Sequence, residues 1–228
     1  MESRRPLIIA GLAAFFFVCT LMAIVAHVGR AASLAESAPI PVEENNTMKP
    51  PTLTPEQQAI IEGAGWTDRV GANMGVWISV AEQVFRVVQN GDTLWETPCS
   101  TAARGTGSKM NSLKTPLGWH SISDKIGEGA PYGQVFREKR PTSEIWHPGD
   151  AVKEDLVLTR LLVLSGEEPG VNKGGDVDSF RRCIYIHGTN DEPKIGTPAS
   201  HGCIRLTNND VVTAYDLIPV GTLVLITE

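Results

Sequence analysis

A chain of 228 residues has room for one domain of ordinary size and a non-globular end. Its 42% hydrophobic and 20% charged residues suffice for a core and do not mark a disordered chain. The net charge is −6, with Arg4, Arg5 and Arg30 outweighing Glu2 in the first 30 residues, so the remainder is more acidic still; without basic runs this excludes a nucleic-acid partner, which needs clustered Lys and Arg to displace counterions.

Pro6 to Gly29 holds no Asp, Glu, Lys or Arg and includes Phe15-Phe16-Phe17. At about 1.5 Å per residue such a helix crosses a hydrocarbon layer of about 30 Å. Arg4 and Arg5 precede it and keep that end cytoplasmic. The alternative is a cleaved signal peptide, with Gly29-Arg30-Ala31 and Ser33-Leu34-Ala35 as small-residue candidate sites, although the run exceeds an h-region of about 7–15 residues. Under either reading residues 1–30 export the rest. The protein is expected in the periplasm or cell envelope, associated with the inner membrane through residues 6–29 or secreted after cleavage. Residues 31–53, rich in Ala, Ser, Pro, Glu and Asn, read as a flexible linker.

A short packing helix and lead-in are expected over 54–74. Thr54 suits the N-cap, Pro55 the first turn, Gln57 a capping box and Gly63 the end. Strands then dominate. Val76 to Val80 and Val84 to Val88 are β-branched and aromatic, Asn90-Gly91 suits a type I′ turn, and Thr93 to Cys99 returns. Ser100 to Thr115 reads as a loop, with Pro116-Leu117-Gly118 leading into a strand over Trp119 to Ile122. The segment 123–178 reads as an insert or flap, broken by the apolar run Leu156 to Leu164. Further strands are expected at Arg182 to His187, Ile204 to Leu206 and Gly221 to Ile226, with a helix at Asn209 to Leu217 capped by Thr207 or Asn208. The sum is a mainly antiparallel β domain over 75–228 with one or two short helices. His120 and His147 read as surface or flap residues, and Arg181 and Arg182 as a solvated strand edge.

Cys19 belongs to the apolar segment, leaving Cys99, Cys183 and Cys203. An odd count in an oxidising compartment leaves one thiol without an intramolecular partner. Cys99 and Cys183 lie in strand-like runs, as small buried hydrophobes or as a disulfide pair. Cys203 lies in Ser200-His201-Gly202-Cys203, and a second histidine ends the run Ile184-Tyr185-Ile186-His187. A thiol attacks a carbonyl as the thiolate and needs a base beside it. His201 would share the face of Cys203 in an extended segment, and the loop Gly188 to Ala199 can return His187 alongside. Gly202 permits close backbone approach, so the N–H groups of Gly202 and Cys203 are candidate oxyanion donors. His187, His201 and Cys203 would make three zinc ligands, but no fourth and no Cys-x-x-Cys pair is evident.

Ser200-His201-Gly202-Cys203, preceded by Ile186-His187-Gly188-Thr189, resembles the signature of the L,D-transpeptidase catalytic (YkuD-like) family. Ser100-Thr101, Thr115-Pro116-Leu117-Gly118, Arg205-Leu206, Asn208, Asp210 and Pro219-Val220-Gly221-Thr222 extend the likeness from about Gly75 to the C-terminus. The resemblance implies a β-sandwich-like catalytic domain, no metal or cofactor, and a cysteine acyltransferase acting on peptidoglycan stem peptides. Cys203 is then the nucleophile, which releases D-Ala and forms a thioester, and His187 the proton donor and acceptor. The Gly188 carbonyl orients His187, Gly202 lends its backbone to the oxyanion, and Ser200, His201 and Arg205 shape the site or contact substrate. A stem amine, an envelope protein or water would resolve the thioester. Water would make the chain an L,D-carboxypeptidase or an amidase releasing attached protein, and a non-catalytic peptidoglycan-binding module is a third reading. Some members have a longer loop after the first histidine and Asn where this chain has Arg205.

Overall fold

The structure, a computed structural model, describes residues 52–228. The expected anchor over 1–30, and all but the end of the linker over 31–53, lie outside these residues. Among the described residues no helix is long and apolar enough to cross a membrane.

Helix α1, Pro55–Gly63, begins as its sequence dictates: Thr54 Oγ1 accepts from the Gln57 N–H, and the Gln57 side chain accepts from the Thr54 N–H. Only Ile61 of its apolar residues is buried, while Ile60 faces solvent. Gly65, with φ 80°, turns the chain into α2, Trp66–Arg69. Leu53, assigned above to the linker, is buried with Ile61, Trp66 and Val70 against Trp77, Val88, Trp119 and Leu225. The two helices thus cover one face of the sheet.

The sheet has ten strands: β1 Met74–Ser79, β2 Val84–Gln89, β3 Asp92–Pro98, β4 Gly118–Ile126, β5 Gln134–Arg137, β6 Arg140–Ile145, β7 Val157–Gly166, β8 Tyr185–Gly188, β9 Ile204–Leu206 and β10 Leu223–Thr227. The path runs β3-β2-β1-β10-β4-β7-β5-β6, while β8 pairs with β7 and β9 with β8. Asn90 and Gly91 both have positive φ, as a type I′ turn requires. Most pairs are antiparallel, but β1 with β10 and β8 with β9 are parallel. The second parallel pair matters, because it joins the two halves of the motif.

The segment 123–178 holds more than a covering flap. It contains the β5–β6 hairpin and also β7, a ten-residue strand that pairs with β4, β5 and β8. Leu162 and Leu164 of β7 face the main core, where Ile184, Ile186, Ile204 and Leu206 meet Val76, Ile78, Phe85 and Val224. Helix α3, Asn208–Leu217, capped by Thr207 Oγ1, adds Val211, Ala214 and Tyr215. Each fully buried Val, Leu, Ile or Phe of this core contributes about 1.5–3 kcal/mol. Leu161 and Val163 alternate to the other face, where they pack with Phe136, Tyr185 and Cys203.

Three expectations fail here. Strand β8 starts only at Tyr185, because Cys183 adopts φ 58° and breaks the ladder. Cys183 is exposed, Cys99 is buried, and both are free thiols, as is Cys203. His120 is fully buried on β4, with Nδ1 against the Gly118 carbonyl at 3.0 Å and Nε2 against Ser179 Oγ at 2.9 Å. His147 stays exposed beside Asp150.

Candidate active site

The parallel β8–β9 pair sets Ile186 opposite Ile204 and His187 opposite Arg205. Alternation sends the isoleucines into the core and turns His187 and Arg205 to the other face, the face on which Cys203 packs beside Tyr185. Cys203 Sγ lies 3.4 Å from the Tyr185 N–H and 3.3 Å from the Cys183 carbonyl. His187 is buried, and its Nδ1 lies 2.8 Å from the Gly188 carbonyl. That contact assigns the proton to Nδ1 and leaves Nε2 as the basic nitrogen. Opposite His187 the β7 register jumps from Leu158 to Leu161, with Thr159 at φ 69°. Such a bulge re-aims the strand that carries the imidazole. A Cβ on Gly188 would collide with Asn208 Oδ1, so this position must be glycine.

Ser200 to Cys203 is a bent turn rather than an extended segment. Ser200 Oγ donates to the Cys203 carbonyl at 2.6 Å and accepts the Gly202 N–H at 3.2 Å. The Gly202 N–H, expected as an oxyanion donor, is therefore engaged by Ser200. Gly202 itself has φ 131°, and its carbonyl accepts from Thr115 Oγ1 at 3.0 Å. The same oxygen of Thr115 accepts the Ala102 N–H, and Ser100 exchanges two backbone hydrogen bonds with Arg205 at 2.9 Å. Ser100-Thr101 and Thr115 thus strap the turn that carries Cys203 in place.

His201 does not share the face of Cys203. Its side chain is 64% exposed, and Nδ1 reaches Asp155 Oδ2 at 2.9 Å. Arg205 is almost wholly buried, and its Nη2 donates to the same Asp155 oxygen. Asp155, just before β7, was not singled out by sequence; in Lys153-Glu154-Asp155 it reads as part of a solvated charged run. Arg182 is a further correction. It is half-buried, and its guanidinium donates to the carbonyls of Gly107 at 3.2 Å and Lys114 at 2.6 Å, and to Ser112 Oγ at 3.3 Å. A cavity of about 470 Å³ opens along Asp155, Asp191, His201 and Arg205, and one of about 190 Å³ along Met110, Arg182, Ile184 and His201.

Burial dominates the electrostatics. It pushes the Cys203 thiol up to about 12; the Tyr185 N–H pulls the other way, the Asp155 charge adds to the rise, and Arg205 opposes it. Burial also lowers His187, against the Gly188 hydrogen bond and the Asp155 charge. Burial thus favours the neutral form of both the thiol and the imidazole. Burial alone would raise Asp155, yet the His201 hydrogen bond and the Arg205 charge hold its carboxyl below the usual range. Among the described residues no group of three or more His, Cys, Asp or Glu side chains is gathered to hold a metal ion.

Residues 73–226 match the family described as the L,D-transpeptidase catalytic domain. YqjB of Bacillus subtilis (strain 168) is 56% identical over 47 residues, 21% of this chain and 27% of that protein. The probable L,D-transpeptidase ErfK/SrfK of Salmonella typhimurium (strain LT2) is 25% identical over 217 residues, 86% of this chain and 69% of that protein. An L,D-transpeptidase structure from Mycobacterium smegmatis is 19% identical with a TM-score of 0.41, covering 69% of this chain and 60% of that one.

Proposed function

The chain belongs to the L,D-transpeptidase catalytic-domain family, and from that premise we propose that it transfers peptidoglycan stem peptides through a thioester on Cys203. One observation supports the reading: Cys203 packs against Tyr185 of β8, and His187, two residues further along the same strand, is buried with its Nδ1 on the Gly188 carbonyl. As Cys203 Sγ attacks the carbonyl of the third stem residue, His187 Nε2 takes the thiol proton and passes it to the departing D-Ala amine. The Gly202 N–H is held by Ser200, so the oxyanion donors proposed are the N–H of Cys203 and the backbone of His201. An amine, from another stem or from an envelope protein, then resolves the thioester. In this reading Arg205 supports the turn through Asp155, residues 6–29 direct export or anchor the chain in the inner membrane, and the enzyme works in the periplasm.

Mass spectrometry of the protein with a disaccharide-tetrapeptide tests the reading. A thioester adduct on wild type and none on Cys203→Ala, with dimers linked between third residues, is the expected result. Tripeptide without dimers would make it a hydrolase. Folded wild-type protein giving neither adduct nor product would remove tetrapeptide as the donor and favour protein release or a silent binding module.

A further inference from the structure

We propose that Asn208 is the positioning residue of His187, clasping the end of β8 so that the Gly188 carbonyl stays aimed at the ring's Nδ1; this deepens the transpeptidase reading above and rests on it. His187 can serve as a base at Nε2 only while its other nitrogen keeps a proton. That proton is held by a single backbone oxygen, Gly188 O at 2.8 Å, in the place a carboxylate side chain takes in other triads. A carboxylate is fixed by its own rotamer. A carbonyl at the last residue of a strand is fixed only by whatever holds its peptide plane.

Gly188 is that last residue, and across from it the β7 ladder is broken by the bulge between Leu158 and Leu161. Asn208, the first residue of α3 and wholly buried, fills the junction. Its Oδ1 accepts from Thr159 Oγ1 of the bulge at 2.6 Å, and the same hydroxyl accepts the Gly133 N–H at 3.0 Å. Its Nδ2 donates to the Thr189 carbonyl at 2.7 Å and to Glu192 Oε1 at 2.8 Å. Glu192 Oε1 also accepts the Asn208 N–H at 2.7 Å. Carbonyl and carboxylate oxygens only accept, so the amide has one orientation, with both its hydrogens and its oxygen engaged. The Oδ1 lies 2.3 Å from where a Cβ on Gly188 would stand. Asn208 therefore packs against the open side of Gly188 and grips the carbonyl of Thr189, and the Gly188 carbonyl belongs to the peptide unit between these two points. Buried Thr159 at φ 69°, a conformation that a β-branched residue rarely adopts, is held there by the same clasp.

The test reads the tautomer directly. Ring nitrogen chemical shifts of His187, assigned with His187→Gln, are recorded on the full-length protein at about pH 8, above the ordinary histidine pKa. Wild type should show a protonated Nδ1 and a bare Nε2. In Asn208→Ala and in Glu192→Ala the two shifts should move towards each other. In both, kcat for thioester formation from a disaccharide-tetrapeptide should fall about tenfold or more, with KM little changed. Glu192→Gln, which keeps the accepting Oε1, should restore shifts and rate together. Lost activity with the wild-type tautomer in place would reduce the clasp to a structural support and overturn the proposal, as would wild-type shifts and rates in both alanine variants. Glu192→Ala, at a half-buried position, decides the matter should Asn208→Ala not fold. The tautomer is read without substrate, so wild-type protein that forms no thioester would bring down the transpeptidase reading while the ring shifts still decide the clasp.

Discussion

Burial raises the pKa of the Cys203 thiol, the proposed nucleophile. With its thiol pushed up to about 12, the neutral thiol is the favoured form at pH 7 before substrate binds. Iodoacetamide mapping at pH 7 should therefore find exposed Cys183 modified at least about tenfold faster than Cys203. The Cys203 rate should keep climbing past pH 9, because the neutral thiol persists to that range. Saturation of Cys203 by pH 7 would instead reveal a thiolate–imidazolium pair. The family was legible in sequence, since Ser-His-Gly-Cys after Ile-His-Gly-Thr is specific, and with it Cys203 as the candidate nucleophile. The burial of Cys203 was not, because besides Tyr185 of nearby β8 it depends on Leu161 and Val163 of β7 and Phe136 of β5, some 40 to 70 residues away in the chain.

Strands and helices were more legible than what they enclose. The α1 capping box and the Asn90-Gly91 turn follow from local hydrogen bonding and local φ preference. Strand β7 was seen only as an apolar run inside an insert, because periodicity cannot say which neighbours a strand will pair with. His120, on β4, shows the same limit with a measurable outcome. Burial lowers its pKa to about 4, against the Gly118 hydrogen bond and the charges of Glu167 and Glu168, with Arg182 acting in the same direction as burial. The unfolded chain takes up this proton near pH 6.5 and the folded one only near 4. The stabilisation is therefore complete above pH 6.5 and is lost as pH falls from 6.5 to 4, on the order of 3 kcal/mol. In His120→Gln, urea unfolding should show less loss of stability than wild type across that window; parallel curves would refute the assignment.

At the scale of the molecule, the sheet is covered on its helix-bearing face by Leu53 and the short helices α1 and α2. The family match begins at residue 73, yet that cover starts some twenty residues earlier. A chain truncated to begin at Gly75 should expose Trp77, Val88, Trp119 and Leu225, bind a hydrophobic dye and lose several kcal/mol of stability. A cooperative melt at the temperature of the longer chain would show that the cover is dispensable.

The sequence by itself determined the family and the local caps and turns, because each motif, cap and turn depends on residues within a few positions of one another, and it offered Cys203 and His187 as the candidate nucleophile and base. Tertiary structure alone decided that Asp155 grips both flanks of Cys203, that Thr115 and Ser100 strap its turn, and that Arg182 pins the loop beside it. Each of these contacts joins segments far apart in the chain. Which charged residue of a solvated-looking run meets a buried arginine is settled only when strands pair and water is excluded between them.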